Sequence, residues 1–129
     1  MGLIGTRQAK EYAKAFHMTA IDAATREAAS AFVEAARRKF PVSGAVLFGS
    51  RARRDDTPES DADVAVFLRG DVGSFARTKL AMADIAFDVL LEKGALIQPL
   101  PIWEEEWSRP ERYPNPQLLA NIRRDGVAL

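Results

Sequence analysis

The sequence contains no cysteine and a single histidine, His17. Without thiols there is no disulfide framework, no thiolate metal site and no cysteine nucleophile, a composition that suits a reducing compartment. His17 has no partner of ligand type near it in sequence, so packing at the surface or boundary is its expected role. Net charge is missing as well: 18 basic residues balance 18 acidic ones. That balance removes bulk attraction to nucleic acid or to an anionic membrane. No run approaches the roughly 18 apolar residues of a membrane span. The opening Met1-Gly2-Leu3-Ile4-Gly5-Thr6 lacks the basic segment and long apolar stretch of a secretory signal. The expectation is a cytoplasmic protein with neither a membrane nor a nucleic acid as partner.

What is present suits one domain over residues 1–129: 47% of the chain is hydrophobic, enough to bury a single core. From Thr6 to Phe16, apolar Ala9, Tyr12, Ala13 and Phe16 recur at helical spacing. A second helix is expected from Thr19, as its cap, to about Lys39, with Ile21, Ala24, Ala28, Phe32 and Ala36 inward and Pro41 as the stop. Its basic end, Arg37-Arg38-Lys39, reads as a solvated helix terminus. Arg69-Gly70-Asp71 is read as turn chemistry rather than an adhesion motif. Ser74 can cap a third helix ended by Gly94, with Ala76, Leu80, Ala83, Phe87 and Leu90 expected inward. Ala95 to Ile102 is an apolar run whose two prolines lack N–H donors, so it is expected at a sheet edge. A short helix opened by Glu104-Glu105-Glu106 and a last one near Gln117–Arg124, closed by Gly126, complete the pattern.

The chemistry concentrates between Val46 and Phe67. Val46-Leu47-Phe48 is a short buried strand halted by Gly49-Ser50, where the backbone can approach a ligand closely. After a spacer of ten residues, Asp61-x-Asp63 opens a second apolar strand. The strand period of two places both carboxylates on one face. Neighbouring carboxylates repel, and a counter-ion removes that penalty. A hard cation such as Mg²⁺ is bound through one or two carboxylates plus substrate phosphates, so the segment offers both halves of a metal–nucleotide site. Asp55 and Asp56 read as simple loop acids.

With Gly49-Ser50, the ten-residue spacer, Asp61-x-Asp63 and the flanking strands in place, the chain resembles the minimal nucleotidyltransferases of the polymerase-beta-like superfamily. Gly49-Ser50-Arg51-Ala52-Arg53 and the ending Leu118 to Gly126 are similar to segments of that family. The resemblance implies an α/β (α+β) fold, with a small mixed sheet of three to four strands flanked by helices. It implies transfer of a nucleoside monophosphate, AMP from ATP, onto a hydroxyl. Asp61 and Asp63 would be catalytic and hold Mg²⁺, with two metals about 3.5–4 Å apart clamping the reacting phosphate. Gly49, Ser50, Arg51 and Arg53 would hold the phosphates, helped by the start of a short helix after Ser50. Arg51 is the favoured arginine, with Asp55, Asp56 or Glu59 as alternative partners for it. The resemblance further implies an acceptor: a HEPN-type helical RNase toxin, silenced by adenylylation of a tyrosine, which would make this chain an antitoxin. Self-association is left open.

One departure matters. Active members of the superfamily carry a third carboxylate on a later strand, and the matching run here, Leu96 to Ile102, offers only Gln98 as a polar side chain. An amide cannot take a proton as general base near neutral pH. The alternative function is therefore a catalytically weak or inactive nucleotidyltransferase-like subunit that regulates its partner by binding. Asp84 and Asp88 are expected on an exposed helix flank, and Trp103 and Trp107 in packing rather than in stacking a base. Direct action on tRNA ends is disfavoured by the zero net charge.

Overall fold

Two apolar runs pair first, and the rest of the chain is laid on their two faces. β1 (Val42–Phe48) and β2 (Ala62–Leu68) run antiparallel, with Val46 opposite Ala65 and Phe48 opposite Asp63. The computed structural model describes residues 22–53 and 61–129. The expected helix over Thr6–Phe16, with His17, Thr19, Ile21, Asp55, Asp56 and Glu59, lies outside those residues. β3 (Ile97–Trp103) joins β2 in parallel, and β4 (Val127–Ala128) joins the far side of β1 antiparallel. The sheet order is β3-β2-β1-β4, a mixed four-stranded sheet flanked by helices, as expected.

Alternation along the strands divides the core. Ala45, Leu47, Val64, Val66, Leu68 and Ile97 face α1 (Ala23–Arg37) and α3 (Phe75–Lys93). Val46, Ala65, Phe67 and Ile102 face the opposite layer, where Tyr113 and α5 (Pro116–Asp125) supply Leu119 and Ile122. Two short helices, α2 (Ser50–Arg53) and α4 (Glu104–Ser108), follow β1 and β3 directly.

β3 is an edge strand, and its prolines sit where an edge tolerates them. The Leu96 carbonyl accepts from Ala62 N–H at 2.9 Å, so the even-numbered residues of this run turn their backbone groups toward β2. Pro99 and Pro101 therefore place their missing donors on the outer rim. Trp103 N–H, on the same rim, donates to the Glu106 carboxylate at 3.0 Å.

Two expectations need correction. The cap of α1 is Asp22 rather than Thr19: its Oδ1 accepts from Thr25 N–H at 2.8 Å and its Oδ2 from the Thr25 hydroxyl at 2.7 Å. Ala28, Phe32 and Ala36 are buried as expected, but Ala24 is exposed, because the helix begins only one residue before it. Asp22→Ala is expected to lower unfolding free energy by about 1–2 kcal/mol, read from urea denaturation. The second correction concerns α3. Its buried face is Met82, Ile85, Ala86 and Val89, while Leu80 and Phe87 are exposed. The helix carries two apolar stripes, and the one containing Ala86 and Met82 packs on the sheet. Ser74 and Gly94 do bound it, the latter with φ of 75°.

Candidate active site

The register of the three central strands builds the site. Asp63 is opposite Phe48 on β1 and beside Gln98 on β3, so the end of β1, the start of β2 and the start of β3 meet in one row. Asp61 precedes β2 by one residue and shares the face of Asp63. Gln98 Nε2 donates to Asp61 Oδ2 at 3.1 Å. β1 stops at Gly49, whose φ of 76° reverses the chain, and its carbonyl accepts from Arg53 N–H at 3.1 Å to open α2. A Cβ on Gly49 would overlap Asp63 Oδ2 and lie 3.3 Å from its Cγ. The missing side chain is thus what lets the loop touch the carboxylate.

The electrostatics follow from that crowding. Burial pushes the Asp63 carboxyl above its ordinary value, and the neighbouring charge of Asp61 pushes it further the same way. Arg53 and Lys79 act in the opposite sense and do not cancel the effect. Lys79, on α3, is a contributor that the sequence pattern left unmarked; sixteen residues from Asp63, it has no motif to identify it.

Arg51 turns toward the start of α1, with Nη1 3.4 Å from Asp22 Oδ2 and 3.3 Å from the Thr25 hydroxyl. Ser50 stands half-buried at the first position of α2. The structure therefore brings together Gly49, Ser50, Asp61, Asp63 and Gln98, with Arg53 close enough to influence Asp63 and Arg51 engaged with α1. Among the described residues, no group of three or more His, Cys, Asp or Glu side chains is placed to hold a metal. Asp84 and Asp88 are exposed on α3, and Glu104 and Glu105 are exposed at the start of α4. Trp103 is buried in the core. Trp107 packs on Phe67 with ring centroids 4.8 Å apart, and the Arg123 guanidinium lies 3.8 Å over its ring while donating to its carbonyl. An open groove of about 520 Å³ between α1 and α3, lined by Glu34, Arg38, Asp88 and Glu92 among others, belongs to the opposite face of the sheet.

Comparison with known proteins adds a family to this geometry. The sequence profile of the nucleotidyltransferase domain matches residues 29–111, well over half of the chain and inclusive of every residue just placed at the site. No protein of curated function matches. A candidate nucleotidyltransferase from Sulfolobus solfataricus, known from its crystal structure, is similar at 21% identity with a TM-score of 0.49, over 83% of this chain and 86% of that one.

Proposed function

The chain belongs to the nucleotidyltransferase domain family, and from that premise we propose that it moves AMP from Mg²⁺-bound ATP to a hydroxyl on a helical protein partner. The observation that carries the reading is the row Gly49, Asp63, Asp61: a glycine turn in touch with one of two carboxylates that share a strand face. The donor set fits a divalent cation. Two carboxylates, one of them half-buried and resisting ionisation, gain most from a hard positive charge that also binds phosphate oxygens. When bound, such an ion offsets the charge that develops on the phosphate oxygens.

The chain's own residues supply the rest. Asp61 and Asp63 hold the cation. The backbone at Gly49 and Ser50 and the side chains of Arg51 and Arg53 receive the β- and γ-phosphates. The acceptor oxygen forms a bond to the α-phosphorus as the bond to the β-phosphate bridge breaks, pyrophosphate leaves, and the hydroxyl proton passes to solvent or a base. The resemblance to minimal nucleotidyltransferases supports a HEPN-type toxin as partner and an antitoxin role, in the cytoplasm. Incubation of the full chain with Mg²⁺, ATP and a co-encoded helical protein, followed by intact-mass measurement, tests this. A gain of one AMP on the partner, abolished by chelation, is the expected result; its absence with all four nucleoside triphosphates overturns the reading.

A second reading is favoured by Gln98. Its amide donates to Asp61, and the resemblance expects the third carboxylate on this strand; a subunit that binds nucleotide and partner with little turnover would follow from an amide in its stead. Gln98→Glu distinguishes the two. A carboxylate there replaces a donor by a group able to accept the acceptor's proton, a contribution on the order of 10²–10⁴ where it operates. Transfer is expected to rise at least about 10-fold and Mn²⁺ affinity, read by calorimetry, to rise with it. Unchanged transfer and unchanged Mn²⁺ binding would show that Gln98 does not limit the site.

A further inference from the structure

The exposed stripe of α3 has a pattern of its own. Ala76, Leu80, Ala83, Phe87 and Leu90 are spaced four, three, four and three, the a/d repeat of a helix seam sustained over two heptads. Leu80 is 70% exposed and Phe87 57%; Leu91, at the flank, is 70% exposed. Scattered apolar residues on a surface need no account, whereas a continuous apolar seam does. The inner stripe of the same helix, Met82, Ile85, Ala86 and Val89, packs on the core, and among the described residues the outer one has no core to pack on.

The charges beside the seam say what covers it. The first half of α3 presents Arg77 and Lys79 to solvent, and the next turns present Asp84 and Asp88. Lys93, a cation of the second half, donates to Glu27 at 2.9 Å. The exposed surface is therefore positive toward one end and negative toward the other. Such a face complements itself when two copies cross antiparallel about a two-fold axis.

We infer that the protein self-associates as a two-fold dimer through α3 of each copy, packed antiparallel. In this register Leu80 of one copy packs beside Ala83 of the other and Ala76 beside Phe87. Arg77 then meets Asp84 across the seam, twice by symmetry. The inference stands on surface pattern alone and does not depend on the proposed catalysis. Asp63 and Gly49 lie outside the interface, so each copy keeps its own site.

A single helix pair buries less than the roughly 1,600 Å² of a standard interface, so the expected dissociation constant is on the order of 1–100 μM. Sedimentation equilibrium of the full chain should show twice the 14.2 kDa chain mass at the upper end of that range. Leu80→Arg should weaken association at least 10-fold while leaving the circular dichroism spectrum unchanged. Arg77→Asp and Asp84→Arg should each weaken it, and the double exchange should restore it, which a merely damaged helix would not do. The absence of cysteine gives a direct reading of direction. Chains carrying Ala76→Cys and Phe87→Cys should form a disulfide with each other when mixed and oxidised. Neither should do so alone, since the like positions would stand about 16 Å apart along the axis. A chain monomeric about tenfold above the stated range overturns the dimer. So does a monomer whose Phe87→Cys thiol resists labelling, which would mean that residues 1–21 cover the seam. A monomer that binds only a different helical protein there, or disulfides formed only by like variants, overturns it equally.

Discussion

Asp63→Asn is expected to abolish metal-dependent nucleotidyl transfer, by on the order of 10³-fold, while the folded protein becomes no less stable at neutral pH. The two halves of that result have one cause. Asp63 is held half-buried between the Gly49 turn and Asp61, and both burial and the Asp61 charge raise its carboxyl above the ordinary value of 3.8. A raised carboxyl in the folded state means that the fold favours the protonated form. Its contribution to stability is complete at low pH and is lost as pH rises through the folded value. At neutral pH the native chain thus carries a charge in an unfavourable place, and asparagine removes the charge with nearly the same shape. Thermal melts should show the variant equal or higher at pH 7, with the difference closing as pH approaches 3.8. Transfer, followed by mass gain on the acceptor, should be lost at every pH. A variant with native-like transfer would remove Asp63 from the site; one with a lower melting temperature at pH 7 would show that its charge is already compensated within the chain.

Gly49→Ala carries the second large effect. At φ of 76° a Cβ is disfavoured by about 1–2 kcal/mol whatever surrounds it. Here it would also overlap the Asp63 carboxylate, which must move aside. Displacing a reacting group by about 1 Å can lower a rate on the order of 10²-fold, and that is the loss expected in transfer. Urea denaturation should show a stability loss of about 1–3 kcal/mol, larger than the backbone term alone. The comparison with Asp63→Asn is informative: asparagine keeps nearly the shape of the carboxylate, so the overlap, and with it the full Gly49→Ala destabilisation, should persist in the double variant. Destabilisation without loss of transfer would mark Gly49 as a turn residue alone.

Much of this site is legible from sequence because its parts are local. The period of two placed Asp61 and Asp63 on one face, and the prolines of β3 announced an edge strand. Gln98 falls beside Asp63 in the parallel register of β2 and β3. What was not legible depended on contacts between distant segments. The phase of α3 is ambiguous in the sequence because two apolar stripes share the same spacing; the one with small Ala86 is buried against the sheet, while Phe87 is exposed. Arg51 could be matched to phosphate or to loop acids from the sequence alone, yet it reaches Asp22, 29 residues earlier. β4, two residues long, leaves no periodicity to detect; only its pairing with Val46 and Leu47 defines it.

The outer rim of β3 has a consequence for colloidal behaviour. Strand addition and cross-β growth need alternating donors and acceptors along the exposed rim. Here Pro99 and Pro101 contribute none of the donors, and Glu106 engages that of Trp103. An incoming chain would meet carbonyls with almost nothing to answer its own. That side of the sheet is guarded against fibril templating, and a concentrated or partly unfolded sample is steered toward association by side-chain surfaces, which is reversible, rather than by backbone pairing, which is not.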